Sequence, residues 1–356
     1  MVMASSRCRE CHGKMNDEWT KSSHSRSASS VAYKTARAQA AKPKKCDRCH
    51  VPLRGHVPAG TRAEAEGITC DVCHTIKSVR VGPFASSFTM RVTDAVKYGA
   101  YCDAKDHYFH RMACAKSQTD GTLCAACHQL SIKTQSGIDL PVYTTYEDWK
   151  KGPANEDGMA CQHCHMPSVR GEAAVGAGER PQVRDHGFMG KAGKLRTQAA
   201  SLEISVANKA KNTMLVSVGV KNSGAGHYIP SGLPARRLVV RIRSLDSKGA
   251  QLDVYERTYG RVLVSAQGDP TPYYKAFKLL RDTRIAPRTT TTLSHILKAP
   301  GAGKLHVSVW WRRFDHAIAK AMGVAPGKDE LMIEHHIDFG APGKRGLPKK
   351  PVIVKP

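Results

Sequence analysis

The stretch HRMACAKSQTDGTLCAACHQL, residues 110–130, ends in two cysteines separated by two residues and followed at once by histidine: Cys124, Cys127 and His128. The same pattern recurs at Cys8, Cys11 and His12, at Cys46, Cys49 and His50, at Cys70, Cys73 and His74, and at Cys161, Cys164 and His165. Ten of the chain's 12 cysteines are used in this way. In CxxCH, one turn of chain brings two thiols to the two vinyl groups of a single haem, and the following histidine reaches the iron from the same side. Zinc is the competing reading, because CxxC pairs also build ribbons in which two pairs share one ion. Zinc gives no reason for a histidine in fifth place every time, and an odd number of pairs leaves one without a partner. Dithiol redox chemistry fails on the same ground. The ten cysteines are therefore read as attachment points for five covalent c-type haems, with His12, His50, His74, His128 and His165 as iron ligands.

The ligand on the other face of each iron decides what such a chain does. An iron held by two protein ligands shuttles electrons, whereas an open iron can bind and reduce a substrate. Five of the 17 histidines hold the fifth place of a motif. Of the others, His24 in DEWTKSSHSRSA, His110 with His107 one helical turn earlier, His186 in RDHGFMG, His227 in GAGHYIP and His56 just after the second motif are the candidate distal ligands. His163 lies inside its own motif and is expected to face solvent. His335 and His336 are held in reserve; His295, His306 and His316 fall in or near strand patterns and read as structural. Met159 and Met166 carry no pattern beyond gap-filling. The two remaining cysteines, Cys102 and Cys114, flank His107 and His110; in an oxidising compartment a disulfide there would staple the loop.

At 356 residues the chain is long enough for two domains. Residues 1–194 hold every CxxCH and read as a haem-packed domain of short helices and loops. A Gly-rich, charged linker spans 171–196. Beyond it, LEISVA (202–207), MLVSVGVKN (214–222), RRLVVRIRSL (236–245), VYERTYGRVLV (254–264), TTTTLSHIL (289–297) and KLHVSVWW (304–311) alternate in polarity and are rich in β-branched residues. Turn signals without intervening helices separate them, so residues 195–320 are expected to form an antiparallel, immunoglobulin-like β-sandwich. Residues 321–356 read as an extended tail.

Aromatics make up 6% of the chain and hydrophobic residues 41%, thin for a globular protein unless haem macrocycles supply part of the interior. The formal charge of +25 falls to roughly +15 to +20 once the propionates of five haems are included. The basic residues are scattered and no nucleic-acid-binding motif is present, which argues against a nucleic-acid partner. No apolar run is long enough to span a membrane, and MVMASSRCRE lacks a signal-peptide core. Because haem is attached to CxxCH outside the cytoplasm, the chain is expected to be exported, periplasmic or extracellular, through a signal not visible in these residues.

CRECHGKMNDEWTKSSH (8–24), EGITCDVCH (66–74), residues 110–130, YEDWKKGPANEDGMACQHCHMP (146–167), RDHGFMG and GAGHYIPSGLPARR (224–237) together resemble the multihaem cytochrome c family typified by the tetrahaem cytochrome of ammonia-oxidising bacteria, and more closely its longer relatives with an added β domain. The resemblance implies closely packed haems with mostly bis-histidine irons, His24 and His186 standing where the family places distal ligands. Some relatives polymerise into extracellular filaments with a histidine lent across the interface; others are periplasmic carriers or subunits of complexes. No CxxCK variant occurs, a departure from the nitrite-reductase branch. The expected function is electron transfer rather than catalysis, with redox proteins and further copies of the chain as partners; the alternative is an oxidoreductase of small nitrogen or sulfur compounds with one open haem.

Overall fold

A computed structural model describes residues 2–93, 95–134, 136–188, 194–340, 347–348 and 350–356. The first half is built from helices of at most nine residues, joined by turns. All five motifs lie on or at the ends of such helices: Ser5–Cys8, Lys44–His50, Cys70–Thr75, Thr122–His128 and Cys161–His165. The third is started by Thr69, whose side chain accepts from the Val72 N–H. Between the motifs, antiparallel pairs join Ile76–Arg80 to Ser87–Met90 and Leu130–Lys133 to Asp139–Tyr143, and after the last motif Ser168–Glu172 pairs with Glu179–Arg184. A parallel pair, Val96–Gly99 with Arg111–Cys114, brings its ends close enough for a Cys102–Cys114 disulfide.

This half has little apolar core of its own. Ala125, Tyr146, Trp149 and Ala160 form its main buried cluster. Much of its order comes from polar anchors: Asn16 Nδ2 donates to the Ser5 carbonyl at 2.8 Å, Trp19 Nε1 to that of Ile68 at 2.9 Å, and Lys97 pairs with the buried carboxylate of Asp71.

Beyond residue 199 the alternating segments form two four-stranded antiparallel sheets. In one the order is Thr290–Lys298, Thr213–Asn222, Ala200–Ala210, Val352–Val354. In the other it is Gln251–Tyr259, Arg237–Asp246, Gly303–Arg312, Glu330–Phe339. Ile204, Val218 and Leu297 from the first sheet and Val240, Leu305 and Val309 from the second share one buried cluster, each contributed by the inward face of a period-two strand. Residues 321–356, read from sequence as an extended tail, supply an edge strand to each sheet; Ile333, Ile337 and Phe339 join the core. The segment 254–264 breaks in two at Gly260 (φ +154°), where a Cβ would stand 2.7 Å from the Arg236 carbonyl. After the break, Arg261–Val264 pairs with Lys278–Asp282 in a hairpin that reaches back to the first half, Leu263 packing on Leu140.

The two halves are further joined by the helix His316–Met322, which packs on Ala32 and Ala36, and by buried ion pairs. Arg284 bridges Asp148 at 2.7 Å and Asp282 at 2.9 Å, and Arg261 donates to the Thr144 hydroxyl at 2.6 Å.

Leu305→Ala removes a fully buried side chain from the sandwich core and should cost about 2 to 5 kcal/mol in urea unfolding followed by far-ultraviolet circular dichroism. Replacing Cys102 and Cys114 by serine should cost about 3 kcal/mol, as for loops of roughly 15 residues. Amide exchange should then rise first over residues 103–113, releasing His110 before the remainder unfolds.

Candidate haem-binding site

Four motif histidines each face a second imidazole from a distant part of the chain. His12 stands opposite His110 with ring centres 6.4 Å apart, His74 opposite His186 at 6.3 Å, His165 opposite His227 at 6.3 Å, and His128 opposite His24 at 6.4 Å. With a metal–imidazole bond of about 2 Å and the ring centre roughly 1 Å behind the nitrogen, two imidazoles on opposite sides of one ion stand about 6 to 6.5 Å apart. Direct ring stacking would be closer. The pairs thus have the spacing of clasped metal ions, and they fit haem iron ligated from both sides.

Backbone carbonyls orient several of these rings. The Nδ1 atoms lie 2.7 Å from the Ala173 oxygen for His12, 2.8 Å from that of Tyr98 for His74, 2.9 Å from that of Arg184 for His186 and 3.1 Å from that of Tyr228 for His227. An Nδ1–H donated to a carbonyl leaves the Nε2 lone pair free for metal, the usual arrangement behind a ligating histidine. Burial lowers the pKa of His128 to about 3 and those of His24, His165 and His186 to about 4, and it also lowers those of His74, His110 and His227. These imidazoles are neutral near pH 7, as ligands must be.

Phe188 ties two of the pairs together. Its ring meets His24 edge-on at 4.3 Å and His186 at 6.4 Å, from a backbone with φ +62°. A bulky residue held in that region is kept there by its surroundings, and such strain gathers at functional sites.

The second motif is different. His50 has no imidazole opposite it among the described residues; its ring lies flat on Tyr33, centres 4.4 Å apart and planes 16° apart. Tyr33 is itself fixed: its hydroxyl donates to Asp47 at 2.7 Å, and Arg37 and Arg54 bind the same carboxylate. Burial favours protonation of Asp47, but the hydrogen bonds from Arg37, Tyr33 and Arg54 outweigh it and hold the carboxyl below its usual range. Burial and the neighbouring Asp47 push the Tyr33 phenol up to about 12. The sequence reading did not single out Tyr33; only its place on the capped helix Val31–Gln39, ahead of the motif, hinted at it. His56 is exposed, in a turn bridged by Arg54 and Val57, and no described ring faces it.

Several of the remaining histidines are engaged elsewhere, His295 stacking on Tyr255. The His107 ring packs tilted against Tyr108 and stacks on Phe109. His306, Glu334 and His336 cluster on the outer face of the second sheet, but both nitrogens of His306 are occupied: Nδ1 accepts from Arg243 at 2.6 Å and Nε2 meets Glu334 at 2.8 Å.

The attachment points are contiguous. The Cys8 and Cys70 thiols lie near enough to perturb each other's ionisation, as do those of Cys49 and Cys127 and of Cys124 and Cys161. The Cys73 thiol lies close enough to Cys124 and Cys127 to raise the pKa of both. The fourth motif therefore adjoins the second, third and fifth, and the first adjoins the third.

Residues 7–75 match the family model described as cytochrome c554 and c-prime. The fold is similar to that of a penta-haem cytochrome c552 from Thermochromatium tepidum, at 18% identity and a TM-score of 0.75, covering 95% of this chain and 99% of that one. Slighter likenesses, to MtrC from Shewanella baltica OS185 (TM-score 0.21, 12% identity, 85% of this chain and 46% of that) and to a putative β-galactosidase from Bacteroides fragilis (TM-score 0.21, 15% identity, 39% and 16%), carry no argument. No curated protein matches the chain in sequence. The matched segment contains the first three motifs, and the likeness of fold to the penta-haem cytochrome runs on through the other two.

Proposed function

We propose that the chain carries five covalently attached haems, four clasped between paired histidines, and passes electrons among them. The observation that carries this reading is the set of four imidazole pairs spaced at 6.3 to 6.4 Å. Haem iron held between two imidazoles supplies one-electron redox chemistry with no position for substrate. His12 and His110, His74 and His186, His24 and His128, and His165 and His227 hold those positions closed. The contiguous attachment points support a line from the first motif through the third to the fourth, with the second and fifth as branches.

His50 favours a second reading at one place. Its side chain is fixed by Tyr33, but no histidine of the described chain opposes it. Such an iron would stay open to a small ligand, as an oxidoreductase of nitrogen or sulfur compounds requires. Alternatively, a neighbouring copy in a filament or complex would lend the missing imidazole. We infer an assembly role from the second half, which is not needed to hold most of the haems. Its sheets, one made of the first, second, fifth and eighth strands of the sandwich and the other of the third, fourth, sixth and seventh, fit an immunoglobulin-like sandwich with an added edge strand. Export to the periplasm or cell surface follows from the need to attach haem there. No described helix is long and apolar enough to cross a membrane.

Intact mass should show five haems per chain. His24→Ala, His110→Ala, His186→Ala and His227→Ala should each convert one low-spin haem to high-spin, reversibly with added imidazole; a variant with an unchanged spectrum removes its pair from the account. Carbon monoxide should bind one haem per chain in the reduced protein. Loss of that binding as size-exclusion chromatography shows self-association would favour the lent imidazole, and turnover of nitrite or hydroxylamine would favour the enzyme.

A further inference from the structure

The segment YIPSGLPARR, between His227 and the strand Arg237–Asp246, is shaped around one cation. Gly232 has φ +88°, and a Cβ there would stand 2.2 Å from Arg236 Nη1 and 2.8 Å from its Cζ. Only glycine lets the guanidinium lie across that turn. Nη1 donates to the Ser231 carbonyl at 2.7 Å, and the guanidinium sits 5.6 Å from the centre of the Trp311 ring.

Three other arginines of the same region have acids. Arg237 binds Asp315 at 3.0 Å, Arg196 binds Glu330, and Arg284 binds Asp148 and Asp282. Arg236 has no carboxylate partner among the described residues. Burial lowers its pKa from the ordinary arginine value, and the nearest cations, Arg196 and Arg313, act in the same direction; only the Tyr143 phenol opposes them. Arginine nevertheless stays protonated in proteins. Arg236 is half-buried, and a cation drawn partly out of water with no carboxylate of its own is placed to take an anion from outside the polypeptide.

The position says which anion. The charge on Arg236 is felt by His128 and by Tyr143, whose ring lies 6.1 Å from that of His128. Haem brings two carboxylates of its own.

We propose that Arg236 binds a propionate of the haem attached at Cys124 and Cys127, seating the haem at the junction of the network against the second half of the molecule. This rests on the five-haem reading. The contact is a charge-assisted hydrogen bond of the kind arginine makes to carboxylates. By offsetting the propionate's negative charge it favours the reduced haem and raises its potential. Arg236 is a positioning residue and takes no part in ligating iron.

The test is a redox titration of the full haem-loaded chain, followed by electron paramagnetic resonance, for wild type, Arg236→Gln and Arg236→Lys. The His24→Ala protein marks which component belongs to the fourth motif. Arg236→Gln should lower that component about tenfold in its reduction equilibrium, 59 mV for one electron, with Arg236→Lys between it and wild type and the other components little changed. An unmoved marked component in a chain whose mass still shows five haems overturns the proposal and leaves the haem reading standing. A mass lacking the haem at Cys124 and Cys127 overturns the haem reading instead. If the wild-type component shifts with added phosphate or nitrite and the Arg236→Gln component does not, the site takes a free anion and the propionate assignment is wrong. Arg236→Lys supplies the comparison if the glutamine variant fails to fold.

Discussion

The pairing of imidazoles across long stretches of chain is the constraint on which the first half depends. His12 with His110, His24 with His128, His74 with His186 and His165 with His227 join residues that have no local reason to meet. A polypeptide of short helices, with only a small cluster around Trp149 as apolar core, closes few loops on its own. Four pairs set to clasp four metal ions would close them, and the buried polar anchors at Asn16, Trp19 and Asp71 then fit the remaining backbone around them. Folding and cofactor binding would then be one event, as in other proteins whose ligands are scattered before the metal arrives.

The second half is stable by a different route. Its sheets bury period-two strands against one another, independent of any metal. It reaches the first half at three places that bear on function: His227 stands opposite His165, Arg236 is near enough for its charge to act on His128 and Tyr143, and the hairpin at 261–282 packs on Leu140 and the Thr144 turn. The sandwich is therefore more than a cover. It supplies one imidazole, opposite His165, and one cation to the half that holds the five motifs, and its edge strands come from the last residues of the chain.

What the sequence made legible were features carried by short spacing. CxxCH is readable because both thiols and the histidine sit on one turn, and the strands are readable because their polarity alternates residue by residue. Pairing was not readable, because His110 precedes the fourth motif yet faces the first motif's histidine, and His24 follows the first motif yet faces the fourth's. Proximity along the chain misleads most at His56, which follows its motif closely but lies exposed in a turn. Tyr33 was invisible for the complementary reason: an aromatic on a short helix reads as ordinary core, and its role appears only when its ring is found flat on His50. The end of the chain read as a tail because EHHID lacks a clean apolar alternation, while edge pairing to Gly303–Arg312 requires only that Ile333, Ile337 and Phe339 turn inward.

The central claim is that four irons lie between the paired histidines and a fifth is held on one side by His50. Anomalous diffraction from crystals of the haem-loaded protein at the iron absorption edge tests it directly. The account predicts five peaks, four midway between the paired rings and one beside His50 with no second imidazole from the same chain. A peak displaced from any of the four pairs, or a second histidine of the same chain opposite His50, would contradict it.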